Sequence, residues 1–277
     1  MNVIGLGRAG CKIAQKFSTY PQYSARCIDV ENEGYENFIK IEKQESHEAY
    51  ESNYSNLNLH LSAEPVLFVL SGAGQISGIA LRLLEELKTR QVDVLYIKPS
   101  KDDMSDLSSM RDRVVSQVLQ QYTRSGLINN FCLVSNESVE AVMPHISLKD
   151  YWGHINDTIV NTYHMISVFE NTEPLLTTYS DKPVTAKIST IGVVNYENFE
   201  EKSFYDLQMP RVKIYYFGIN NSFLEENKTL LHDVRSSVRE QASENTNACF
   251  SIYSTSYENN YVYSKHYATM VQEEYLE

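Results

Sequence analysis

Apolar positions along this chain fall into short continuous runs separated by amphipathic stretches, the alternation of strand and helix that builds a parallel sheet covered on both faces. The strand-like runs are Val3-Ile4, Ala25 to Val30, Pro65-Val66-Leu67-Phe68-Val69-Leu70, Val92 to Ile97 and Asn130 to Val134. The run at 65–70 is uniformly apolar, as a strand buried on both faces requires. Between the runs, helical spacing aligns Ile13, Ala14 and Phe17 within 11–17, and Leu83, Leu84 and Leu87 within 79–87. A further helix is predicted over 110–122, and the polar stretch 42–58 reads as loop.

Residues 147–169 predict a long helix with Ile155, Ile159, Tyr163 and Ile166 along one side. Beyond Pro174 the texture changes to Thr- and Tyr-rich strands at 187–194 and 211–218, a helix over 225–241, and closing strands at 249–254 and 261–268. The pattern predicts a doubly wound α/β domain over 1–146, a long central helix over 147–173 and a smaller α+β domain over 174–277.

With 24 basic and 36 acidic residues the formal net charge is -12, which argues against a nucleic-acid backbone as the main partner. No run of about 18 apolar residues is present, and Met1-Asn2-Val3-Ile4 enters a strand without a basic, apolar leader, so a cytoplasmic protein without a membrane anchor is expected. The four cysteines, Cys11, Cys27, Cys132 and Cys249, form no C-x-x-C pair and fit neither zinc nor a disulfide framework. Three read as buried strand thiols, whereas Cys11 stands at a helix start, where a thiolate is favoured. Twenty tyrosines concentrate late in the chain, either as strand residues with packed rings and wet hydroxyls or as a protein contact surface.

Two glycine-bearing turns each follow a strand-like run and open a helix-like one: Gly5-Leu6-Gly7-Arg8-Ala9-Gly10 and Gly72-Ala73-Gly74-Gln75-Ile76-Ser77-Gly78. Backbone N–H groups at such a helix start can cradle phosphate. Gly5-x-Gly7-x-x-Gly10 with Asp29 nineteen residues beyond also satisfies the dinucleotide fingerprint, which leaves open a nicotinamide-dependent oxidoreductase, or a tight turn that binds nothing.

From Gly5 onward the order of motifs resembles the tubulin/FtsZ superfamily over most of the chain. Gly7-Arg8-Ala9-Gly10-Cys11-Lys12-Ile13 is similar to the first phosphate loop of that family, and Ile28-Asp29-Val30-Glu31 to its D-x-E segment near magnesium. Gly72 to Gly78 stands where the family carries G-G-G-T-G-[ST]-G, and Asn136 where it carries a guanine-reading asparagine. Trp152-Gly153-His154-Ile155-Asn156-Asp157 resembles the start of its central helix, where an aromatic ring stacks on the base and an amide or carboxylate pairs with the base edge. The bland alternative for Trp152 is a buried helix anchor.

By resemblance, Gly7, Arg8, Ala9, Cys11, Asp29, Glu31, Gly72, Ala73, Gly74, Gln75, Ser77, Gly78, Asn136, Trp152, Asn156 and Asp157 bind GTP or GDP, with Glu31 serving Mg indirectly. Two departures weaken the expectation of turnover. Gln75 and Ile76 replace threonine and glycine in the second loop, and because a β-branched residue does not readily adopt positive φ, either a reshaped loop or a looser hold on the phosphates is expected, which bears on GTP affinity as well as hydrolysis. In the stretch Leu176 to Lys182, Thr177, Tyr179 and Lys182 stand where the FtsZ catalytic loop has asparagine and two aspartates, which leaves Asp181, one position out of register, as the sole catalytic candidate.

The resemblance implies a cytoskeletal protein that assembles head to tail with itself or with another tubulin/FtsZ-like protein, with weak or absent GTP hydrolysis. A non-polymerising regulatory relative is the rival. The compact length and divergent loops point toward a phage or plasmid type, without the tail by which the family reaches membranes.

Overall fold

The computed structural model describes residues 1–143, 149–179 and 184–272. Two compact units are present, Met1–Val160 and Asn161–Gln272.

The first unit carries six parallel strands: β1 (Asn2–Leu6), β2 (Ser24–Asp29), β3 (Phe38–Lys40), β4 (Val66–Leu70), β5 (Val92–Lys98) and β6 (Asn130–Ser135). They are ordered β3-β2-β1-β4-β5-β6. Every residue of β1 and of β4 is buried, which accounts for their unbroken apolar runs. The helices are α1 (Gly7–Phe17), α2 (His47–Ser52), α3 (Ala80–Leu87), α4 (Asp106–Ser125), α5 (Asn136–Glu140) and α6 (Tyr151–Glu170), the last beginning in this unit. α1 buries Ile13, Ala14 and Phe17, and α3 buries Leu83, Leu84 and Leu87, the faces the spacing predicts.

Strand order runs in opposite directions from the β1/β4 pair, so the chain leaves the carboxyl ends of these two neighbours toward opposite sides. That crevice is where open α/β sheets bind ligands. The doubly wound sheet expected from the pattern is therefore present, with both glycine turns at its switch point.

The second unit contains β7 (Leu176–Thr177), β8 (Ile188–Val194), β9 (Glu201–Ser203), β10 (Val212–Asn220), β11 (Asn247–Thr255) and β12 (Tyr261–Ala268), with α7 (Asn221–Glu226) and α8 (Leu230–Glu240). Its strands are ordered β8-β12-β10-β11-β7, with β9 paired to β8. β10 and β11 are parallel, and the other pairs of this unit are antiparallel. Leu230, Val234 and Val238 of α8 pack with Tyr215, Phe217, Ile219, Phe250 and Ile252 in its core.

Local chemistry moves several boundaries. The stretch 42–58 is not all loop: Ser46 accepts from the Ala49 N–H, and the capped turn buries Tyr50 in α2. α4 starts earlier than the apolar spacing implies, because Ser105 accepts from the Ser108 N–H. The single helix expected over 225–241 is two. Asn227 Oδ1 takes the Thr229 N–H at 2.9 Å, a local bond that competes with helix continuation. Nor are the tyrosine hydroxyls uniformly wet, since Tyr215 donates to Glu201 and Tyr216 to Glu170, both at 3.0 Å. Among the described residues no helix is long and apolar enough to cross a membrane.

Candidate functional site

Gly5 of β1 lies opposite Val69 of β4, so the turns that follow these strands emerge side by side. In the first turn a β-carbon on Gly10 would stand 2.4 Å from the Val69 carbonyl oxygen, so only glycine lets α1 approach the sheet this closely. Gly7 has φ +69°, the left-handed region, as α1 begins. No side chain caps α1 and its first turn carries no acid, which leaves its leading N–H groups and partial positive charge to an incoming anion.

The second turn winds into a 3-10 segment, Gln75–Ile79. The Ser77 hydroxyl is buried and shared between the carbonyls of Gly72 (2.9 Å) and Gly74 (2.7 Å), closing the loop on itself. Arg111 Nε donates to the Ala73 carbonyl at 3.0 Å from α4. Gly72 is obligatory here, since a β-carbon would fall 2.1 Å from the Tyr96 hydroxyl, which itself donates to buried Asp112 at 2.7 Å. Gln75 is exposed and its amide donates to the Glu45 carbonyl at 3.4 Å. Gly78 admits the start of α2, for its β-carbon would meet the His47 carbonyl at 2.1 Å.

Ile76 does not adopt a positive φ. Among the described residues the non-glycine positions with positive φ are Asn37, Asn58, Asp150 and Phe199. The Ile76 Cγ2 methyl is turned onto Gly7.

Asp29 ends β2 half-buried, with Oδ1 accepting from the Val30 N–H at 2.7 Å. Burial pushes its carboxyl up, against the opposing pull of that N–H and of Arg8. Glu31, two residues further on, is exposed. Among the described residues no group of three or more His, Cys, Asp or Glu could hold a metal ion, so Mg at Asp29 and Glu31 would take its remaining ligands from phosphate and water.

Glu33, not singled out by the sequence motifs, bridges Arg8 Nε (2.7 Å) and Lys12 Nζ (3.5 Å). Its signal was the i, i+4 pair of cations on α1 followed by an acid in the adjacent turn.

Asn136 opens α5 at the end of β6 and is half-buried. Trp152 on α6 is 48% exposed, its ring edge-on to Tyr151 at 5.1 Å, so it is not a buried helix anchor. Asn156 lies on the same helix, half-buried. Asp157 Oδ1 is 2.5 Å from Lys16 Nζ of α1, an ion pair that the motif reading missed.

Cys11 is fully buried beneath the first turn, which works against the thiolate that its place at a helix start favours. Its hydrogen bond to Cys27, together with burial, pushes its thiol far up. Cys27 and Cys132 are buried strand thiols as expected, whereas Cys249 is only partly buried.

The candidate catalytic stretch begins as β7, held on β11 through Ser251 and Ile252, with Thr177 Oγ1 2.8 Å from Ser251 Oγ. Asp181 and Lys182 lie outside the described residues.

The first turn thus fits a phosphate group in charge and donor geometry. The second fits less well, because a hydrocarbon group faces Gly7 and the Ser77 hydroxyl is engaged within the loop.

No protein-family model matches the sequence, and no curated protein resembles it in sequence. Solved structures do. A GTPγS-form protofilament of TubZ from Bacillus thuringiensis serovar israelensis superposes with a TM-score of 0.71 at 14% identity, over 98% of this chain and 87% of that one. GDP-bound monomeric CetZ1 from Haloferax volcanii gives 0.68 at 15% identity, over 98% and 94%. An empty FtsZ dimer from M. jannaschii gives 0.64 at 11% identity, over 96% and 87%. With the strand order and the paired turns at the switch point, these likenesses show that the chain has the fold of the tubulin/FtsZ superfamily.

Proposed function

We propose that this protein binds guanine nucleotide at the β1/β4 switch point and assembles head to tail in the cytoplasm, with slow or absent hydrolysis. The observation that carries the proposal is the adjacency of two glycine turns on neighbouring parallel strands, one of them opening an uncapped helix.

In this proposal the backbone of Gly7, Arg8, Ala9 and Cys11 receives phosphate oxygens from one side, and the loop of Gly72, Ala73, Gly74, Gln75, Ser77 and Gly78 from the other. Asp29 and Glu31 face the divalent ion, whose contribution when bound is to neutralise phosphate charge. Trp152 offers an open ring for stacking, and Asn136, Asn156 and Asp157 offer amide and carboxylate groups to a purine edge. Asp157 reaches a base by sharing its carboxylate with Lys16.

Head-to-tail assembly is supported by the neighbours themselves, which include a TubZ protofilament and an FtsZ dimer. A heterologous contact of that kind extends into a filament. Slow hydrolysis follows from Thr177 and Tyr179 standing where the resembling loop carries asparagine and aspartate, with Asp181 as the remaining acid.

Titrating GTP, ATP and NADH against the fluorescence of Trp152, with phosphate release and light scattering followed in the same samples, tests the proposal. Saturable quenching by GTP alone supports it, and a concentration-dependent rise in scattering supports assembly. Retention of NADH but not GTP would overturn the guanine assignment. Binding without scattering would make the protein a non-polymerising relative.

A further inference from the structure

The loop after β2 delivers an anion to two cations of the helix that opens at the first glycine turn. Asn32 Oδ1 accepts from the Gly34 N–H (3.0 Å) and the Tyr35 N–H (2.7 Å), which folds the loop tightly. Gln15 Oε1 of α1 accepts from the Glu36 N–H at 3.3 Å and ties the loop to that helix. Glu33 is thereby placed with Oε1 2.7 Å from Arg8 Nε and Oε2 3.5 Å from Lys12 Nζ, while the Tyr35 hydroxyl donates to Oε2 at 3.4 Å.

Arg8 and Lys12 are the cations that α1 offers in its first two turns, where the helix also concentrates its partial positive charge. One tethered carboxylate engages both.

We propose that Glu33 is a built-in competitor for the phosphates of the ligand and a specificity determinant of the site. The proposal rests on the phosphate half of the nucleotide reading. An incoming phosphate either displaces the carboxylate from Arg8 and Lys12 or binds beside it against its charge. In both cases Glu33 opposes a ligand in proportion to its negative charge and leaves an uncharged nucleoside unopposed. The Arg8 side chain is 71% exposed and that of Lys12 41%, so water screens both pairs and the competition is worth a severalfold change in affinity rather than an on/off switch.

The test uses the full chain as wild type, E33Q and E36Q, with tripolyphosphate, GTP and guanosine as probes in calorimetry at low salt. Glu36 is an exposed acid of the same loop and controls for net charge. E33Q is expected to bind tripolyphosphate and GTP roughly three- to tenfold more tightly than wild type, with guanosine unchanged and E36Q behaving as wild type. Tripolyphosphate binding no tighter in E33Q, an equal gain in E36Q, or no tripolyphosphate binding to any of the three proteins overturns the proposal. The guanine pocket is judged separately. A gain for tripolyphosphate without binding of GTP or guanosine keeps Glu33 and removes the pocket, whereas GTP affinity unaltered by E33Q keeps the pocket and removes the competitor.

Discussion

The Cγ2 methyl of Ile76 lies 2.9 Å from the point where Gly7 would carry a β-carbon. The two glycine turns therefore touch through a hydrocarbon contact, and Gly7 is constrained twice, by its φ of +69° and by this neighbour. Gly7→Ala is expected to cost about 1–2 kcal/mol from the left-handed backbone alone, and more once Ile76 has to move. Urea unfolding reads the loss; a midpoint equal to wild type would mean that the turn relaxes freely.

Ile76→Gly makes the complementary prediction. Removing the side chain opens the space over Gly7 and restores the glycine that the resembling loop carries there, so GTP should bind severalfold more tightly. Stability should fall by about 1 kcal/mol, because a glycine is harder to order and a half-buried side chain is lost. Trp152 fluorescence measures the affinity, and a weaker complex would show that the methyl supports the ligand rather than crowds it.

Asp157 is shared between Lys16 and its proposed role on the base. As an ion pair it is half exposed, 51% against 30% for Lys16, so Asp157→Asn should cost no more than about 1 kcal/mol of folding stability. As a base reader it matters more. A carboxylate accepts two N–H groups of guanine, whereas an amide can accept from one and donate to a carbonyl, the pattern xanthine offers. GTP affinity should drop about tenfold and xanthosine triphosphate should gain. Equal GTP affinity in the variant would assign Asp157 to Lys16 alone.

What the sequence disclosed and what it hid separate along a physical line. The β4 run and the glycines at 5, 7, 10, 72 and 78 are local signals, because burial on both faces and close backbone approach or a left-handed φ each demand a residue type at one position. The sheet and its switch point were legible from them. The Lys16–Asp157 pair joins residues 141 positions apart, and no local pattern encodes it. α2 was hidden because its signal is a single capping serine within a polar stretch. The break between α7 and α8 turns on the side chain of Asn227, in a segment whose periodicity carries through. Ile76 stands out in the sequence because a β-branched residue replaces a glycine there, but where its methyl points, onto Gly7, is a matter of tertiary geometry.

In the second unit Lys265 of β12 is buried beside Glu170 of α6, with Nζ 2.9 Å from Oε1, and the Tyr216 hydroxyl donates to the same oxygen. Lys265→Met would remove the cation beside that largely buried carboxylate while the Tyr216 hydroxyl stays on it, which costs on the order of 3 kcal/mol. The double variant with Glu170→Gln should recover most of the loss, since no buried charge then remains. Denaturant midpoints of the two single variants and the double decide it; additive losses would show that the groups do not interact.

Glu201 makes acid stability the last prediction. Its side chain is 13% exposed, with His266 Nε2 2.7 Å from Oε1, Lys213 Nζ 3.7 Å from Oε2 and the Tyr215 hydroxyl donating to Oε2 at 3.0 Å. The His266 approach is close but not an aligned hydrogen bond. Burial alone would push the carboxyl up, but His266, Ser264 and Lys213 prevail and bring it from 4.5 down to about 2. A group depressed in the folded state stabilises the fold above its unfolded value and loses that contribution as the pH falls toward its folded one. Of the order of 3 kcal/mol should therefore disappear between about pH 4.5 and pH 2. Glu201→Gln should be less stable than wild type at pH 7 by a similar amount, and the two curves should converge near pH 2. Urea unfolding at pH 7, 4 and 2.5 follows this directly; curves that stay parallel through the window would place the acid sensitivity in other carboxylates.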